Sequence, residues 1–139
     1  MIEYHYELDF ELSSEKSHSI WLERVVASEG GEIGQVNYIF CNDQYLLELN
    51  RKYLNHNTLT DILTFDSSEG KEIVGDIFIS IERVRENASD LEIRFEEELL
   101  RVMSHGVLHI LGYKDKTESD RSEMRIKEDE KIKMFHVEQ

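Results

Sequence analysis

One stretch of eleven residues restricts this chain more than any other: His105-Gly106-Val107-Leu108-His109-Ile110-Leu111-Gly112-Tyr113-Lys114-Asp115. On a helix, residues four apart share a face, so His105 and His109 aim their imidazoles at a common point. Gly112 falls where such a helix stops, and Asp115 can return toward that point from the turn. Leu99, Leu100, Met103, Val107, Leu108, Ile110 and Leu111 make the helix apolar on most sides, which predicts burial. Two buried imidazoles are costly unless each has a partner, and the plain alternative is a pair of satisfied core histidines. A shared divalent cation supplies the partner, with outer hydrogen bonds orienting the rings. His105, His109 and Asp115 are therefore the expected metal ligands, leaving a fourth position open as catalytic sites do.

The rest of the chain supplies a frame for that helix. Ile2, Tyr4, Tyr6, Leu8 and Phe10 alternate with polar residues and predict a half-buried strand. Ser13 or Ser14 can cap a helix carrying Ile20, Trp21, Leu22, Val25 and Val26 that ends at Gly30-Gly31. Residues 35–41 read as a strand, and Asn42 can cap a helix using Tyr45, Leu46, Leu49 and Tyr53. Residues 61–66 and 73–80 read as two more strands, joined across Ser67-Ser68-Glu69-Gly70-Lys71 as a hairpin. From Ser80 onward the pattern is helical: residues 80–88, residues 95–111, and a last helix opened by Thr117-Glu118-Ser119-Asp120 at capping-box spacing. That last helix reads as a solvated mixed-charge surface with Met124, Ile132 and Met134 turned inward. Strands alternating with helices, then helices alone, predict an α+β fold around one mixed sheet.

A chain of 139 residues makes one domain, residues 1–139, that buries about two-thirds of its unfolded surface. No stretch approaches the roughly 20 apolar residues of a membrane span, and MIEYHYELDF has no secretory character. The single cysteine, Cys41, rules out an internal disulfide and fits a reducing, cytoplasmic setting. It ends an apolar run and reads as a small buried residue. Sixteen basic residues stand against thirty acidic ones, a net charge of −14, whereas nucleic-acid binders normally show a basic footprint. The imbalance is confined to the first part of the chain. Residues 1–101 hold 9 basic and 22 acidic side chains, residues 102–133 seven of each, with Lys114, Lys116 and Arg121 beside the proposed ligands. Long-range steering of RNA should be poor and binding by the isolated protein weak, so a host particle or partner is expected to deliver the substrate.

The string HGVLHILGY followed by a ligand-type residue resembles the signature HGxLHLxGYDH of the YbeY family, bacterial endoribonucleases that mature ribosomal RNA. Leu49 to Phe65, LNRKYLNHNTLTDILTF, resembles the family segment ending T-(D/N)-V-L-S-F, and Val74 to Ser80, VGDIFIS, its GDI-containing strand. Met124 falls where the family has a methionine downstream of the metal motif. The likeness runs from about Val36 to the last helix. It implies four strands, three parallel and one antiparallel at an edge, packed with about five helices, the zincin-like metal helix lying beneath. It also implies one zinc ion, Zn2+, as cofactor. Two positions depart from the pattern. Asp115 stands where the family has its third histidine, preceded by Lys114 rather than Asp, which lowers the charge of the site by one and makes harder ions such as manganese more competitive. Leu54, after Tyr53, stands where the family commonly has an arginine able to grip phosphate.

The resemblance implies a metal-dependent, single-strand-specific endoribonuclease of ribosomal RNA processing, 16S rRNA 3′ end maturation and ribosome quality control. Its partner would be ribosomal RNA or the small ribosomal subunit, and a monomer is expected. The alternatives are a metallohydrolase of a peptide or small ester, and a non-catalytic ribosome-associated module stapled by its metal. In HExxH proteases a glutamate after the first histidine is the general base; here that position is Gly106. The acid/base is sought at Thr60, Asp61 or Asp76, Thr60 and Asp61 reading equally well as a strand-start cap. His56, in the loop Asn55-His56-Asn57, reads as an exposed histidine, and His5, His18 and His136 as surface residues.

Overall fold

A computed structural model describes residues 1–56 and 58–138. Alternation builds the first strand, β1 (Ile2–Tyr6). It stops short of Phe10 because its one neighbour runs out: Tyr6 pairs with Phe40, next to the last residue of the adjacent strand, and Glu7 N–H makes the final link to the Phe40 carbonyl. Leu8 and Phe10 still pack on the core beyond the strand end. Helix α1 (Glu15–Ser28) is capped by Ser14, whose hydroxyl accepts from Ser17 N–H. Strand β2 (Glu32–Cys41) leads into α2 (Asp43–Leu54), capped by Asn42 as its side chain allows. Strands β3 (Ile62–Asp66) and β4 (Glu72–Ser80) form the hairpin, and Ser80 then caps α3 (Ile81–Leu91). Helix α4 (Phe95–Ile110) carries both histidines, and α5 (Glu118–Glu138) closes the fold.

The strands lie in the order β1-β2-β4-β3. The first three are parallel and β3 is the antiparallel edge. The expected α+β architecture, one mixed four-stranded sheet with five helices among the described residues, is therefore the observed one. Register puts Val36, Tyr38, Phe40, Ile77 and Ile79 on one face, where they join Trp21, Leu22, Val25 and Val26 of α1 and Leu99, Met103 and Val107 of α4 in the main core. Tyr38 crosses that layer and donates its hydroxyl proton to the Met103 carbonyl at 2.7 Å. Leu63 and Cys41 point to the other face, under Leu46 of α2. Cys41 is fully buried, and burial pushes its thiol up to about 12, which leaves it a packing residue.

Besides the ends of strands and helices, burial differs from the sequence expectations at His109, which is exposed, at His18 and along α5. His18 is not a surface residue: it is buried against Trp21 and Phe135, and its Nδ1 donates to the Ser14 carbonyl at 2.6 Å. The interior side of α5 carries Glu128 and fully buried Lys131 beside Met124 and Ile132, so its charges are partly internal. Its start follows expectation, since Thr117 Oγ1 accepts from Asp120 N–H while Asp120 accepts from Thr117 N–H. Among the described residues no helix is long and apolar enough to cross a membrane.

Candidate active site

Helix α4 lies close on the sheet because Gly106 faces it. A Cβ at that position would come within 2.9 Å of Ile77 Cγ2 and 3.2 Å of Ile62 Cδ1. The helix ends in a Schellman motif: Tyr113 N–H reaches the Leu108 carbonyl and Gly112 N–H the His109 carbonyl. Gly112 takes φ +117°, a left-handed conformation open to glycine, and turns the chain back so that Asp115 approaches the helix face.

His105 and His109 stack one turn apart, ring centroids 6.2 Å apart and planes within 8° of parallel. Each ring is oriented from behind. His105 Nδ1 donates to Glu128 Oε2 of α5 at 2.8 Å, and His109 Nδ1 donates to the Tyr113 carbonyl at 3.2 Å. In a neutral imidazole this leaves the lone pair on Nε2, the state a metal requires. His105 Nε2 stands 3.3 Å from Asp115 Oδ2. The donor set therefore fits a divalent cation in chemistry and orientation. Among the described residues no group of three or more such side chains is already spaced as a metal cage.

These groups open on a cleft of about 620 Å³ between α4, α5, the β3 edge and the end of α2. Its floor is acidic. Glu128 is buried and bridges His105 to Arg101, whose Nη1 donates to Glu128 at 3.2 Å and whose Nη2 lies 2.9 Å from Asp129. Buried Glu98 lies 3.7 Å from Arg101 Nε, and neither that nitrogen nor Glu98 Oε1 has a hydrogen-bond partner. Burial raises the Glu98 and Asp61 carboxyls above the usual carboxylate range, Arg101 opposing the rise at Glu98 and His105 at Asp61. Burial lowers His105, but the Glu128 hydrogen bond together with the charges of Glu128, Asp115 and Asp61 outweighs it and holds the imidazole above its ordinary value.

The other candidates separate by location. Thr60 and Asp61 both line the cleft. Thr60 Oγ1 donates to the Ile62 carbonyl at 3.3 Å, and the Asp61 carbonyl accepts from Ser80 N–H, the local bonds of a strand start. Asp76 is not in the cleft: β4 alternation puts it opposite the face that Ile77 presents to α4, where it accepts from Asn37 Nδ2 at 2.9 Å. His56 is exposed, and Asn57 lies outside the described residues. Glu128 and Arg101 were not singled out from the sequence. Glu128 stands 23 positions after His105 in a run of mixed charge, and its one sequence signal is helical spacing from Met124 and Lys131 on the inward face.

Behind the histidine helix a second set of charges holds Tyr113. Its hydroxyl donates to Glu29 Oε1 at 2.6 Å, and Glu29 Oε2 accepts from Lys131 at 2.8 Å and from Lys127 at 3.4 Å. The carbonyl that orients His109 thus belongs to a residue pinned to the end of α1.

Comparison with known proteins settles the family. Residues 5–136 match the family described as Endoribonuclease YbeY. Over all 139 residues the chain is 60% identical to the Endoribonuclease YbeY of Flavobacterium psychrophilum, covering 99% of that protein. It is 56% identical to that of Flavobacterium johnsoniae, each chain being covered in full. The chain belongs to the YbeY endoribonuclease family. A solution structure from Thermotoga maritima has the same fold, with a TM-score of 0.68 at 29% identity over 99% of this chain and 91% of that one. Against the YbeY pattern quoted above, Asp115 holds the place of the third histidine at the mouth of the cleft. Leu54, 44% exposed, brings an aliphatic side chain to the wall where YbeY proteins commonly have a guanidinium.

Proposed function

We propose that this protein is a metal-dependent endoribonuclease whose divalent cation, zinc in the first instance, is held by His105, His109 and Asp115. We further propose that it cuts single-stranded ribosomal RNA in the cytoplasm, at the 16S 3′ end and on defective ribosomes, as a monomer. The observation that carries this reading is the pair of parallel imidazoles, each fixed through Nδ1 by an oxygen acceptor and presenting Nε2 to a cleft, in a chain of the YbeY family.

When bound, the cation supplies Lewis acidity toward a phosphoryl oxygen and toward water. The chain's own residues do the rest. Glu128 orients His105 and is itself held by Arg101; the Tyr113 carbonyl orients His109. Asp61, half-buried in the cleft wall and raised above the usual carboxylate range, is suited to hold a proton and pass it to a leaving oxygen. Gly106 offers no side chain for the base of an HExxH protease, which favours a phosphodiester over a peptide.

The decisive experiment measures cleavage of RNA and of peptides before and after chelation, with metal analysis of wild type and Asp115→Asn. Chelator-sensitive RNA cleavage, about one metal per chain and its loss in His105→Ala with an unchanged fold are expected. A folded, metal-loaded protein that leaves single-stranded RNA intact would overturn the reading.

A further inference from the structure

The chain has nearly two acidic side chains for each basic one, yet three cations without an ion pair among the described residues gather at one place. Arg121 and Arg125, four apart on α5, line the cleft on the same stripe as Met124 and Glu128, with Lys116 beside them. All three are exposed. Arg121 Nη1 donates to the Lys116 carbonyl at 2.7 Å, which ties the two residues together without using a carboxylate. Arg125 stands in the field of Glu98 without forming an ion pair among the described residues. The neighbouring cations behave otherwise: Arg101, Lys127 and Lys131 each contact at least two carboxylates. A guanidinium that leaves its carboxylate neighbours unpaired on a cleft wall is matched to an anion from outside, and two of them a helical turn apart suit consecutive phosphates. Across the cleft, the β3 edge and the end of α2 bring apolar Ile62 and Leu54 beside Thr60 and Asp61.

We propose that Arg121 and Arg125, with Lys116, form the phosphate-binding wall of the cleft and grip the RNA backbone beside the scissile bond, while the bases turn toward Leu54 and the β3 edge. The assignment rests on the endoribonuclease reading and adds the residues that hold the substrate and the side on which its backbone runs. It explains how so acidic a protein engages RNA: the grip is local, inside the cleft, and adds nothing to long-range attraction. Apolar contact to base faces also favours an unpaired strand, because a duplex stacks those faces away.

The test compares Arg121→Gln/Arg125→Gln with Lys16→Gln/Lys71→Gln, which removes the same charge from exposed positions outside the cleft. Binding of a labelled single-stranded RNA, read by anisotropy in chelator from about 50 to 200 mM salt, decides the wall whether or not the protein cuts. The cleft variant should bind about tenfold more weakly, with a log–log salt slope shallower by about 1.4, while the control stays at wild type. In cleavage the same variant should show KM raised about tenfold and kcat within about twofold. Equal losses in both variants, or a cleft variant that binds like wild type, would overturn the proposal. A wild type that binds through these arginines but never cleaves would instead sink the nuclease reading and leave the wall standing.

Discussion

Two clusters of buried charge hold α5, one against α1 and one against α4, and they are composed differently. On the α1 side, the three protons of Lys131 go to Ser28, Glu29 and Glu130, and Glu29 is shared with Tyr113 and Lys127. Donors and acceptors match, and cations and carboxylates are even. On the α4 side, Arg101 faces Glu98, Glu128 and Asp129, Asp61 lies nearby, and an orphaned donor sits 3.7 Å from an orphaned acceptor. A buried ionic group is tolerated best where its hydrogen bonds are complete, and each incomplete one calls for a partner such as an ordered water or an ion. The first cluster is a rivet; the second is an acidic floor awaiting positive charge.

The largest effect should come from breaking the rivet. Lys131→Met leaves Glu29 without its main partner and should cost about 3 kcal/mol or more in denaturant unfolding, while RNA cleavage per folded molecule in the cold stays near wild type. Glu128→Gln cuts the other way. It keeps the side chain's shape but cannot accept from His105 with full charge, so metal affinity should fall about 10- to 100-fold in competition titrations with little change in unfolding. If instead Glu128→Gln unfolded the protein and Lys131→Met abolished only activity, the division of labour between the clusters would be reversed. Tyr113→Phe touches both, losing a charge-assisted bond worth about 1.5 kcal/mol and loosening the carbonyl behind His109.

The smallest effect is the most diagnostic, because the clusters respond to pH with opposite sign. Burial acts to raise Glu29, but hydrogen bonds from Lys131 and Tyr113 outweigh it and hold the carboxyl below its ordinary value. Its contribution is present above the unfolded carboxylate range and is lost as pH falls through the lowered native value. Glu98 is raised by burial, so the native state binds its proton first, and stability falls as pH rises from the ordinary carboxylate range through the raised native value. Glu98→Gln should therefore stabilise the protein at neutral pH by about 0.5 to 1 kcal/mol, the gain vanishing toward acid. Glu29→Gln should destabilise at neutral pH and flatten the acid limb. Unfolding curves at several pH values check both, and matching signs would refute the contrast.

Local signals carried most of the fold. Asn42, Ser80 and Thr117 announce helix starts through their own side chains, and Gly112 announces a stop, so those boundaries were legible. The end of β1 was not, because it depends on where β2 runs out rather than on the alternation of Leu8 and Phe10. The same limit applies at the site. His105, His109 and Asp115 stand within eleven residues and were found together, whereas Glu128 becomes the partner of His105 and Arg101 only once α5 folds back on α4. Lys131 and Glu128 read as solvated charge because helical spacing from Met124, the one hint along α5, does not tell a buried charge from a solvated one.

The contact between Gly106 and the sheet has a consequence for what this scaffold can become. Ile77 is wholly enclosed and cannot retreat, so any branch at position 106 would lever the helix outward and carry both imidazoles with it. A glutamate there, the change that would spell HExxH, would displace both imidazoles in the act of supplying a base. The hydrolase is thereby committed to a proton acceptor borrowed from another strand or helix, and its chemistry can be retuned from the far wall of the cleft without disturbing the helix that carries the histidines.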